Sequence, residues 1–120
     1  MSGGTTVTLR IAQVKVYPDK GDLSGNFRKL VSVIEELAPH KPDVVITPEG
    51  FLEGYVVTED YVTRDNLAQY AIDPIESPYA REISQWAADH RVWFIMGCAR
   101  LAPEGVYNTA LVYNRSGELA

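Results

Sequence analysis

Apolar residues in this chain come in short runs of changing period. From Val7 to Val16, Val7, Leu9 and Ile11 alternate with Thr8 and Arg10 before the pattern becomes nearly continuous, which predicts a strand with at least one covered face. Tyr17 to Asp22 carries loop chemistry. Ser24 then offers a helix cap ahead of Leu30, Val31, Ile34, Leu37 and Ala38, a helical stripe ended by Pro39 and Pro42. Asp43 to Thr47 follows as a short apolar strand, as expected where helices cover a sheet containing buried strands. Strand, helix and strand with short connections make a βαβ unit.

Between Pro48 and Ser77 the periodicity loosens. Gly50, Gly54 and Pro74 interrupt it, although residues 61–70 are spaced for a short helix. Loops of this length inside compact domains tend to be functional. Ser77 or Pro78 opens a second helix with a stripe of Tyr79 or Ala80, Ile83, Trp86 and Ala87, ending near His90. Arg91 to Ala99 then predicts a buried strand. Residues 102–105 turn the chain, and Val106 to Asn114 form a strand hairpin-paired with the one before it. A second turn occupies residues 114–118. This order, strand–helix–strand–loop–helix–strand–strand, indicates an α/β layered domain whose last two strands are antiparallel.

Composition narrows the function classes. At 120 residues and 46% hydrophobic content, the chain is one domain's worth at most and long enough to bury a core without staples. Eleven basic against sixteen acidic residues give a net charge of −5. The basic residues are scattered along the chain, which argues against a nucleic-acid or anionic-membrane partner. One cysteine, Cys98, and two histidines, His40 and His90, leave no internal disulfide and no Cys/His zinc set. A reducing, cytoplasmic setting fits that usage. The N-terminus lacks the basic and apolar segments of a secretory signal, and no apolar run has membrane-spanning length.

The most informative segment is Val44-Val45-Ile46-Thr47-Pro48-Glu49-Gly50-Phe51-Leu52-Glu53-Gly54-Tyr55. Glu49 lies just past a buried strand, behind a proline that ends sheet pairing. In α/β folds that end of a strand is where sites gather. A carboxylate flanked by Gly, Phe and Leu is expected to be partly desolvated and tuned for proton transfer. The alternative, a solvated turn residue paired with a nearby Lys or Arg, stays open on composition alone.

The same segment resembles the first signature of the nitrilase or carbon-nitrogen hydrolase superfamily, an apolar strand running into Pro-Glu and then Gly-Tyr. The first strand's Ala12-Gln13-Val14 agrees, as does Tyr107-Asn108-Thr109-Ala110 with a Gly turn at Gly117. The element order matches along essentially the whole chain. The resemblance implies an αββα sandwich, of which residues 1–120 would be the N-terminal part of a single domain, with no second domain. It also implies a thiol-dependent hydrolase of non-peptide C–N bonds, either an amidase or carbamoyl-amide hydrolase or a nitrilase. In that family a Cys thiolate attacks the amide or nitrile carbon, a Glu transfers protons, and a Lys stabilises the oxyanion. Glu49 matches the Glu. The Lys and Cys are expected beyond Ala120, so the isolated chain is expected to be inactive. The expected partners are a small amide, carbamoyl or nitrile substrate and further copies of the protein, with no metal and no other cofactor.

The remaining candidates weigh less. Phe51 and Tyr55 are candidate substrate-binding residues beside Glu49, with loop packing as the alternative. Glu53 reads as a solvated loop carboxylate that a neighbouring acid could perturb. Cys98 sits in a buried strand and reads as core. Lys15, Lys20, Lys29 and Lys41 read as surface charges, and Asn108 as a maker of structural hydrogen bonds. A competing function class is a non-catalytic α/β binding or oligomerisation module lacking the Lys and Cys. A flavodoxin-like domain is disfavoured because no Gly-rich phosphate loop follows the first strand.

Overall fold

The computed structural model describes residues 5–120. Four strands form one sheet in the order β1 (Ile11–Gln13), β2 (Val44–Ile46), β3 (Trp93–Ala102) and β4 (Gly105–Tyr113). The first three are parallel neighbours, and β3 and β4 form an antiparallel hairpin in which Ala102 faces Gly105. Two helices, α1 (Leu23–Leu37) and α2 (Pro78–His90), supply the crossovers. Both lie on one face of the sheet. Leu30 and Ile34 of α1, and Ala80, Ile83 and Ala87 of α2, share a single core cluster with Val14, Val45, Phe94, Met96, Leu111 and Tyr113. Phe27 meets Tyr79 across the two helices with ring centroids 5.0 Å apart, and Trp86 meets Phe94 edge-on at 5.8 Å. The mixed α/β class agrees with the sequence pattern, and this chain supplies one helical layer and one sheet layer.

Several local expectations are corrected. The first strand is three residues long rather than ten, because its neighbour β2 offers only three pairing residues. Its covered phase is also the other one. Val7, Leu9 and Ile11 are exposed at 75%, 56% and 61%, while Val14 is buried and Ala12 and Val16 pack against the core. Helix α1 is capped by Asp22, not Ser24: the Gly25 amide donates to Asp22 Oδ1 at 3.0 Å. Residues 61–70 form no continuous helix. Asn66 accepts from the Thr63 amide and donates to the Tyr61 carbonyl, local bonding that competes with a helical ladder. Only a single 3₁₀ turn, Leu67–Tyr70, remains. The Ser77 cap of α2 is as expected, accepting from the Tyr79 amide.

Among the described residues the opposite sheet face carries no helix. It presents Ile11, Gln13, Val44, Ile46, Trp93, Ile95, Ala110 and Val112, all exposed or half-buried. No helix among the described residues is long and apolar enough to cross a membrane.

Candidate functional site

The loop after β2 turns back over this open face. β2 stops pairing at Ile46, but the chain stays tied to the free edge of β3. The Thr47 amide donates to the Ile95 carbonyl at 3.0 Å and the Leu52 amide to the Gly97 carbonyl at 3.2 Å. In return the Gly97 amide donates to Thr47 Oγ1 at 2.8 Å and the Ala99 amide to Glu53 Oε1 at 2.9 Å. Ile72 continues the same edge, donating to Ala99 and accepting from Leu101. Gly97 makes this crossing possible. A Cβ there would stand 2.2 Å from the Pro48 carbonyl oxygen and 2.9 Å from the Gly50 amide nitrogen, closer than real contacts come, so only glycine lets the loop lie on the strand.

The loop is anchored from below. Phe51 and Leu52 are fully buried in the core cluster. Buried Asn26 of α1 donates to the Leu52 carbonyl at 3.0 Å and to the Asp19 carbonyl at 2.8 Å. Gly54, at φ +71°, passes so close to the preceding loop that a Cβ would meet the Asp19 oxygen at 2.3 Å. Tyr55 adopts the left-handed region at φ 52°, a conformation that costs a non-glycine residue about 1–2 kcal/mol. The Tyr55 amide donates to the Gly50 carbonyl at 2.8 Å and its own carbonyl accepts from Lys20 Nζ at 3.1 Å.

This geometry redistributes the residues singled out in the sequence. Glu49 is exposed on the open face instead of partly desolvated, because its apolar neighbours Phe51 and Leu52 turn down into the core and leave its carboxylate on top. Its Oε1 accepts from Asn108 Nδ2 of β4. Phe51 is core and does not line the pocket beside Glu49. Tyr55 does line it, together with Glu53, Val56, Leu67, Val106 and Asn108, around a volume of about 90 Å³.

Glu53 is the buried acid of the pair, 6% exposed, and not a solvated one. Burial raises its carboxyl pKa above the ordinary value; its own and Ala99's backbone amides, and then Lys20, act in the opposite direction. Cys98 is 1% exposed, and burial, with the nearby Glu53 charge, pushes its thiol up to about 12. It has none of the thiolate character a nucleophile needs. Among the described residues no three His, Cys, Asp or Glu side chains gather as a metal would require.

Glu53 is the acid that sequence reasoning misjudged, whereas Asn108, read as a maker of hydrogen bonds, makes its bond to Glu49. Asn108 stands directly opposite Ala99 across the hairpin, so its side chain shares the open face with Gly97 and Ala99. For Glu53 the available signal was an acid between apolar Phe51-Leu52 and a glycine.

A family model described as carbon-nitrogen hydrolase matches residues 8–120. The aliphatic nitrilase of Rhodococcus rhodochrous is 27% identical over 95% of this chain and 33% of its own length. The protein N-terminal amidase of Saccharomyces cerevisiae is 24% identical over 98% of this chain and 26% of its own length. A CN-hydrolase superfamily protein from Xanthomonas campestris, solved with an arsenic adduct in its active site, superposes with a TM-score of 0.76 at 26% identity, covering 93% of this chain and 38% of that one. The chain thus spans a third or less of the length of the curated relatives it matches.

Proposed function

The chain belongs to the carbon-nitrogen hydrolase family, and from that membership and the geometry around Glu49 we propose that it forms the N-terminal part of one catalytic domain with Glu49 as general base. The observation that carries this reading is the Glu49 carboxylate itself. It is exposed at the end of a parallel strand, on the sheet face free of helices, and it accepts a hydrogen bond from Asn108. A carboxylate so placed is open to a reacting group, and its orientation is set from a rigid strand rather than from the loop.

The nucleophile in this reading is a cysteine thiol, and the oxyanion is stabilised by a lysine, both supplied by sequence after the Gly117 turn. Glu49 takes the thiol proton as sulfur attacks the carbon of an amide, carbamoyl or nitrile group. It returns that proton to the departing ammonia or amine of an amide or carbamoyl substrate. With a nitrile it protonates the nitrogen of the thioimidate, which takes up a first water and loses ammonia to give the same thioester, and water then releases the acyl group in either case. Cys98 takes no part, because its thiol is buried and protonated. Residues 1–120 alone are therefore inactive. The open apolar sheet face supports a continuing sandwich, and self-association through the helical layer follows the family's habit. The single, buried cysteine suits a reducing cytoplasm.

Ammonia release by the full-length protein tests the assignment. Glu49→Gln keeps the Asn108 contact within reach but removes the base, and turnover is expected to fall about 10²–10⁴-fold. Normal turnover in that variant would sink the reading. A second reading, a binding or oligomerisation module without chemistry, is favoured by the lack of an accessible thiol among the described residues. It gains ground if the full-length wild-type protein releases no ammonia from any amide or nitrile.

A further inference from the structure

Glu53 poses a problem that Glu49 does not. Buried carboxylates are normally paired with a cation, yet the ion pairs among the described residues are Lys29–Asp19, Arg81–Glu76 and Arg115–Asp43. None involves Glu53. Lys20 is near enough to favour its charged form, but the Lys20 ammonium is engaged by the Tyr55 carbonyl at 3.1 Å. Arg100 holds its guanidinium over the Tyr107 ring at 5.0 Å. The backbone amides of Ala99 and of Glu53 itself act on the carboxylate, which leaves acceptor capacity on it. No buried side-chain oxygen or nitrogen among the described residues is left without a partner, so the remaining acceptor is not sealed in closed protein, and Glu53 is one of the residues that line the pocket.

The pocket suits a small amphiphilic occupant. Its volume of about 90 Å³ lies far below the roughly 300–1,000 Å³ of a site for a whole drug-sized ligand, so it accepts one end of a molecule. Val56, Leu67 and Val106 supply apolar wall, and Glu53 the single charged group. Asn108 borders the same pocket and donates to Glu49, so whatever enters is held within one side chain of the general base. We propose that this pocket binds the primary ammonium group of the substrate, with Glu53 as its counterion and the apolar wall against its methylenes. The substrate class is then an amine-bearing amide or nitrile. This inference rests on Glu49 being the base, because it treats the pocket as part of the same site.

The test uses matched substrates with the full-length protein: propanamide against 3-aminopropanamide, and butanamide against 4-aminobutanamide. The amine-bearing member of at least one pair is expected to show a kcat/KM at least tenfold higher. Glu53→Gln, which preserves shape and the Ala99 hydrogen bond, is expected to bring that ratio close to one, mainly through KM. Equal turnover within both wild-type pairs overturns the proposal. So does a ratio that survives Glu53→Gln while both rates fall, which is what a purely structural latch would give.

Ethylammonium titrated against the Glu49→Gln protein, followed through the Ala99 amide by NMR, separates the two readings. Saturable binding, with no response to ethanol, supports the pocket even if Glu49 proves not to be the base. No binding overturns it. Should Glu53→Gln fail to fold, competitive inhibition of the wild-type protein by ethylammonium but not ethanol supports the proposal, and equal or absent inhibition overturns it.

Discussion

Along β3 the residues facing the helices are Phe94, Met96 and Cys98, each 1% exposed or less, whereas those facing the other way are Ile95, Gly97 and Ala99. The first set is filled out with bulk and sulfur, and the second drops to small residues in mid-strand, at Gly97 and Ala99. The covered face is a packed interior that shares one core cluster with residues of both helices. On the open face, loss of side-chain volume at Gly97 and Ala99 admits the loop carrying Glu49 and Glu53. One strand thus separates stability from site geometry by its two-residue period.

That contrast is sharpest at neighbouring positions of one strand. Phe94→Ala empties a fully buried site against Trp86 and is expected to cost about 3–5 kcal/mol, the largest stability effect considered. Urea unfolding of the full-length protein measures it. A loss under about 1 kcal/mol would mean that the helical layer does not depend on this contact. Gly97→Ala works through the other face. The added methyl would meet the Pro48 carbonyl oxygen at 2.2 Å, so the loop must lift. Displacing a catalytic group by about 1 Å costs on the order of 10²-fold in rate. Turnover is expected to fall by that order while the unfolding midpoint moves less than in Phe94→Ala. Unchanged turnover would break the division between the two faces.

The same division explains what could be read in advance. The βαβ order, the Ser77 cap and the hairpin were legible because each rests on neighbours in sequence. The place of Glu49 just past its strand was legible because Pro48 marks the strand's end, but its exposure was not. The covered phase of β1 was not, since Val7-Leu9-Ile11 and Ala12-Val14-Val16 are both apolar, and the packed helices choose between them. Asp22 and Ser24 are both good caps, and only the chain's entry angle selects one. The burial of Glu53 depends on a free amide at Ala99, 46 residues away. The orientation of Glu49 depends on Asn108, 59 residues away. The first bond is made on the unpaired edge of β3 and the second comes from β4 opposite Ala99, and both acquire meaning only when the loop is laid across the hairpin.

The smallest expected effect separates the two glutamates by pH. Burial raises the Glu53 pKa above its ordinary 4.5, so the folded protein keeps this proton at pH values where the unfolded chain has released it. Between the two values the native state binds more protons, and stability must fall as pH rises through that interval. The contribution is fully present below the unfolded value and is lost as pH passes the folded one. Urea unfolding of the wild-type and Glu53→Gln full-length proteins across that interval measures it: the wild type is expected to lose stability relative to the variant with rising pH. A difference independent of pH would remove the case for a desolvated carboxylate. Saturating ethylammonium should flatten the wild-type slope, because a cation beside Glu53 favours its ionised form in the native state and so opposes burial directly.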